Sequence, residues 1–224
     1  MNNYSFIRTV AAAIQTRVAN PSYNVGTAIK NAVANAFVNK ASLVVFPELS
    51  VSGYSCGDLF NQSFLLKKCE EEIARLAEFS KDKELAIIVG APVSFNCKIY
   101  NCAVIIYEGE VRGIVPKIYV PSSQSRWFAS GIDLLHSPHM TYAGSECTIT
   151  PNTLFLLGDA KVAIQIGDDL LAPIPQASHH ALAGAQIIAT LAAGNETTKD
   201  QIYLDQLLST LTKQTISANI YSSS

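Results

Sequence analysis

A chain of 224 residues, 49% apolar and only 15% charged, can bury a sizeable core without disulfide staples, and its composition excludes a disordered polymer. Its formal net charge is −2, with no basic run beyond Lys67-Lys68, so an electrostatic footprint for nucleic acid or an anionic membrane is missing. The longest apolar stretch, Ala181 to Gly194, is shorter than the roughly 20 residues a spanning helix needs, and Gln186 and Thr190 interrupt it.

In chain order, short β-branched runs alternate with longer helical patterns, which predicts a layered α/β fold. Strands are expected at Ile7 to Ile14, Leu43 to Phe46, Leu85 to Val89, Asn101 to Tyr107, Val111 to Val115, Val162 to Ile166, Gln186 to Leu191 and Ile216 to Tyr221. Pro21 to Val38 places Val25, Ala28, Ile29, Val33 and Phe37 at helical spacing, and Phe64 to Phe79 does the same with Leu65, Cys69, Ile73 and Leu76. A third helix, Lys199 to Thr212, carries Leu204, Leu207, Leu208 and Leu211 on one stripe, with Asn195 or Thr197 as its cap. Between the fourth and fifth strands, Glu108-Gly109-Glu110 reads as a hairpin turn, so the sheet is expected to be mixed. Pro121 to Pro151, rich in Ser, Gly and Pro, is the most irregular stretch, and a single domain over 1–224 is the economical reading.

The five cysteines, Cys56, Cys69, Cys97, Cys102 and Cys147, are odd in number and form no C-x-x-C pair, which fits reduced thiols. Arg8 inside the first apolar segment argues against a secretory leader, and a cytoplasmic address is expected. Dinucleotide and P-loop fingerprints are absent, so no cofactor is expected. His136, His139, His179 and His180 lack a third ligand at a supporting spacing, so no metal is expected either. Asp168-Asp169 reads as a capping pair more readily than as a cation site, and Glu70-Glu71-Glu72 as a solvated helix face.

Three apolar runs end in polar or turn residues: Phe46-Pro47-Glu48, Val115-Pro116-Lys117 and Ile166-Gly167-Asp168. Strand carboxyl ends are where α/β sheets bind ligands, so Glu48, Lys117 and the Gly167 corner can converge on one pocket. The segments Phe46 to Phe60, Ile99 to Val104 with Gly113 to Lys117, Arg126 to Gly131, and Ala181 to Ala185 through Gly194-Asn195-Glu196 resemble the nitrilase (carbon-nitrogen hydrolase) superfamily. Within it they resemble the glutaminase domain of bacterial glutamine-dependent NAD synthetase, to which Gly53 to Phe60 is specific. The resemblance implies a four-layer α-β-β-α sandwich with mixed sheets and a Glu-Lys-Cys set. In that set a glutamate takes the thiol proton, the thiolate attacks the glutamine side-chain amide, and a lysine stabilises the oxyanion. By this resemblance Glu48 is the general base, Lys117 the oxyanion stabiliser, and Tyr54, Asp168 and Gly194 are placed at the substrate.

The nucleophile breaks the pattern. Where the family reads Ile-Cys-Glu-Asp-Leu, this chain reads Ile166-Gly167-Asp168-Asp169-Leu170, so Gly167 stands at the cysteine position without a sulfur. Cys56 does not replace it, because members of this branch commonly carry a cysteine there as well. The segment from Val120 to Arg126 is shorter than the family's loop, and the family's small polar run appears here as Thr190-Leu191-Ala192-Ala193-Gly194. Against the family, the last strands and the synthetase domain are expected to be missing. The sequence supports two readings: a glutaminase unit of an amidotransferase acting on glutamine or another small amide beside a synthetase domain or subunit, or a degenerate fold that binds or scaffolds. The apolar composition adds the expectation of a homo-oligomer.

Overall fold

The computed structural model describes residues 6–194, 197 and 200–224. Two β-sheets stack face to face. The first has five strands in the order β1 (Thr9–Ala11), β2 (Leu43–Val45), β3 (Ala86–Phe95), β4 (Lys98–Tyr107) and β5 (Glu110–Pro116). β1, β2 and β3 run parallel, whereas β3, β4 and β5 form an antiparallel meander. The second sheet has β8 (Phe155–Leu157) antiparallel to β9 (Ala160–Ile166), which continues in parallel to β10 (Ile187–Leu191) and β11 (Ala218–Ser222).

Alternation along the strands assigns each residue to a layer. Leu43 and Val45 join Ile88, Ala103, Ile105 and Val115 in the seam between the sheets, where they meet Val162, Ile164, Ile166, Ala189 and Leu191. Val44, Phe46, Ile87 and Val89 point the other way, into the helices over the first sheet. Those helices are α1 (Pro21–Tyr23), a π-helical turn Asn24–Ile29, α2 (Lys30–Val38) and α3 (Ser63–Ser80). α4 (Gln176–Leu182) and α5 (Asp200–Thr215) cover Ala163 and Ile188 on the far side of the second sheet, completing the four layers.

The expected helix over 21–38 is one helical run with a π turn inside it. Its cause is the buried Asn24, whose Nδ2 donates to the Arg17 and Val51 carbonyls while its Oδ1 accepts the Arg17 amide. Pro21 opens the run behind Asn20, which caps the Tyr23 amide at 3.1 Å. β1 is shorter than expected, and at its C-terminal end it stops with its partner β2 ahead of Pro47. β3 is longer, since a hairpin turn at Asn96-Cys97, both in the left-handed region, folds it onto β4. The stretch 121–151 contains a second hairpin, β6 (His139–Tyr142) with β7 (Ser145–Thr148), rather than loop throughout. Glu72 corrects the reading of a solvated acidic face: it is buried, accepting from Ser22 and paired with Lys68 and Arg75, while Glu70 accepts the Ala143 amide. Asn195, Glu196 and Lys199 lie outside the described residues.

Candidate functional site

Glu48 follows β2 across Phe46-Pro47, in a turn that lies flat on β3. Gly90 permits that approach: a Cβ there would stand 2.6 Å from the Pro47 carbonyl oxygen and 2.8 Å from the Glu48 carbonyl carbon. The Phe46 amide donates to Ile88, the Val51 amide to Gly90, and the Glu48 amide to Ala192 just past β10, so the turn is tied to both sheets. Lys117 follows β5, its amide donating to the Asn101 carbonyl on β4. Gly167 follows β9 at φ +48°, a conformation that favours glycine.

These three strand ends meet. Lys117 Nζ lies 2.9 Å from Glu48 Oε1 and 2.7 Å from Asp168 Oδ2, with the lysine and glutamate side chains essentially without exposure. Asn101 Nδ2 donates to the same Glu48 oxygen at 2.6 Å. A Cβ on residue 167 would fall 2.5 Å from Glu48 Oε2 and 2.9 Å from Lys117 Nζ, so the acid and the base crowd the space a side chain at 167 would occupy. Burial is the largest influence on both charges. It lifts the Glu48 carboxyl above its usual range despite Lys117 and Asn101, and it pulls Lys117 down, but Glu48 and Asp168 outweigh that and hold the ammonium above its usual value. Two carboxylates around one buried cation keep Lys117 charged. Glu48 Oε2 and Asn101 Oδ1 are buried acceptors without a hydrogen-bond donor.

Asp169 does the capping. Its carboxylate accepts the Ile118, Tyr119 and Ile166 amides, clamping the loop after Lys117 to the turn at Gly167. Tyr54 is joined to the cluster through Gln124, whose Nε2 donates to the phenol oxygen at 2.9 Å while its Oε1 faces Lys117 Nζ at 3.4 Å. Gly194 is exposed, with nothing within 4 Å of where its Cβ would stand; on that segment it is Ala192 that touches Glu48. The sequence did not single out Asn101 or Gln124. A polar residue within the apolar run Tyr100 to Ile106 is a signal for the first, and Gln124 carries none.

The Cys56 thiol is turned toward the Ser52 and Gly53 carbonyls, and burial pushes its pKa up, so it is not an activated nucleophile. All five cysteines are free. Among the described residues there is no group of three His, Cys, Asp or Glu that could hold a metal ion, and no helix long and apolar enough to cross a membrane. A cavity of about 430 Å³ opens beside Asp168, lined by Ile118, Tyr119, Pro121, Ser125 and Phe128.

Four layers with an acid, a lysine and a strand-end turn at one seam define the carbon-nitrogen hydrolase class, and the pattern of that family matches residues 9–222: the chain belongs to it. The glutamine-dependent NAD(+) synthetase of Mycobacterium tuberculosis H37Rv is 33% identical over 203 residues, 85% of this chain and 30% of that protein. Its counterpart from Mycobacterium leprae is 31% identical over 201 residues, 85% of this chain and 29% of the relative. The chain thus spans under a third of these relatives. In fold it is similar to a glutamine-dependent NAD(+) synthetase from Cytophaga hutchinsonii, with a TM-score of 0.86 at 20% identity over 98% of this chain and 36% of that one. An amidase from Nesterenkonia sp. superposes with a TM-score of 0.75 at 18% identity, covering 97% of this chain and 75% of the other.

Proposed function

We propose that this chain is a carbon-nitrogen hydrolase domain of the NAD-synthetase glutaminase type that has given up covalent amide hydrolysis and serves as a binding or scaffolding unit. The observation that carries the reading is Gly167, which offers no thiol to form an acyl intermediate and whose side-chain space is crowded by Glu48 and Lys117. In a glutamate-to-glutamine mutant of the Nesterenkonia amidase acrylamide adds to the active-site cysteine; here Glu48 would have no thiol proton to accept. The partner that fits the relatives is a synthetase domain or subunit. The exposed apolar residues of α4 and α5, Leu182, Ile202 and Tyr203, favour pairing with a second copy.

Ammonia release from glutamine tests the reading. The unmodified protein is expected to release none above the buffer rate, and measurable turnover would overturn it. Gly167→Cys is expected to give weak rescue at best, because the new Cβ displaces Glu48 from its pair with Lys117, and a misplaced catalytic group costs about two orders of magnitude. Turnover matching a working glutaminase in that variant would mean that one residue alone separates this chain from an enzyme.

A further inference from the structure

The loop over 121–128 sends a carboxamide into the charged cluster. Gln124 is only 5% exposed, although it stands in the run Ser122-Ser123-Gln124-Ser125, where a solvated side chain is the ordinary outcome. The loop is anchored on both sides of it. The Gln124 and Ser125 amides donate to the Pro121 carbonyl, and the Trp127 and Phe128 amides donate to the Gln124 carbonyl. Asp58 then fixes the following segment, accepting from Trp127 Nε1 and pairing with Arg126, each at 2.8 Å, while the Phe128 ring lies 4.8 Å from that of Phe60. Immobilising a glutamine side chain costs rotamer freedom. Its two hydrogen bonds, one from a buried ammonium, offset that cost.

Those bonds are the ones a free primary amide would need. Its oxygen needs a donor, here the Lys117 ammonium, and its NH2 needs an acceptor, here the Tyr54 phenol. We propose that the Gln124 carboxamide is the resident ligand of this site: a tethered primary amide that takes the place of a small-molecule amide and keeps free amides out. The proposal rests on the reading of Gly167 given above, since with a thiol beside Lys117 a resident amide would be open to attack. Tethering gives Gln124 an effective concentration that a free competitor must exceed.

The probe is propionamide, which carries the end of a glutamine side chain as a free molecule. Gln124→Ala removes the occupant and leaves the Glu48, Lys117 and Asp168 pairs in place. It is expected to bind propionamide at least about tenfold more tightly than the unmodified protein in an NMR titration. Equal binding by the two proteins, or a folded Gln124→Ala that binds none, would overturn the proposal. A second measurement stands even where that variant fails to fold: in the unmodified protein without propionamide, the Gln124 side-chain NH2 protons should exchange with solvent far more slowly than those of free glutamine, and millimolar propionamide below the tether's effective concentration should leave them in place. Exchange at the free rate, or displacement by propionamide below that effective concentration, would equally sink it. Ammonia appearing from propionamide would instead count against the reading of Gly167, which these binding measurements do not touch.

Discussion

The helices over the two sheets are of similar length and very different depth. α3 buries Leu65, Cys69, Ile73, Leu76 and Ala77 along one stripe, together with the paired Glu72. α5 carries leucines at the same spacing, yet only Leu211 is buried and Leu204, Leu207 and Leu208 are half-covered. On α5 itself Ile202 is 62% exposed, and on the neighbouring α4 Leu182 is 89%. An amphipathic pattern thus specifies that a helix docks, and the layer beneath decides how far. The first layer exposes Val38 and Phe64 at helix ends but buries a full stripe, whereas the second leaves most of its apolar stripe only half-covered. The 49% apolar composition is therefore unevenly spent.

The largest expected effect separates the two layers directly. Ile73→Ala should cost about 3 kcal/mol, because it opens a cavity in close-packed surroundings, whereas Leu208→Ala on α5 should cost about 1 kcal/mol or less. Urea unfolding measures both, and equal losses would erase the distinction.

A second effect lies beneath the shallow layer. His180 on α4 is buried with its Nε2 unpartnered, and burial lowers its pKa to about 4. Below its ordinary value of 6.5 the unfolded chain takes up a proton that the folded chain refuses, so stability falls as pH drops from 6.5 toward about 4, by up to about 3 kcal/mol. Asp169 has the opposite slope: burial raises it to about 7, so the folded chain binds its proton more readily and stability falls as pH rises from 3.8 toward about 7. His180→Gln should therefore leave a protein whose urea midpoint declines toward neutrality. Parallel pH profiles for variant and parent would show that His180 does not titrate in this way.

The smallest effect concerns the uncovered face. Ile202→Asp should change unfolding free energy by less than about 0.5 kcal/mol, as exposed substitutions do. In sedimentation it should nonetheless convert a dimer to single chains, and a parent that already sediments as one chain would show that the face stays bare.

The sequence announced the skeleton of the site because three apolar runs end abruptly, at Glu48, Lys117 and Gly167, and strand ends are where an α/β sheet can present polar groups. The hairpin at Glu108-Gly109 was legible for the same kind of reason, a glycine where the backbone must turn left. The β3–β4 turn was not, since Asn96-Cys97 adopts two left-handed conformations with no glycine to mark them. Glu72 and Gln124 escaped because a polar residue among polar neighbours looks solvated, and only tertiary contacts from Ser22 in one case and Tyr54 and Lys117 in the other bury it. Asn101 was within reach: a carboxamide inside an apolar strand has to find a partner, and it found Glu48.

The backbone at Gly167 also sets what any side chain at this position would cost. At φ +48° any residue with a Cβ is strained by roughly 1–2 kcal/mol, and a glycine relieves that strain the moment chemistry no longer requires a side chain. A side chain introduced here meets that strain and then the ion pair of Glu48 with Lys117. Substitution of Gly167 is uphill on both counts before any catalytic benefit. On the reading proposed above, the position would therefore work as a ratchet, with glycine the conformation's least strained occupant.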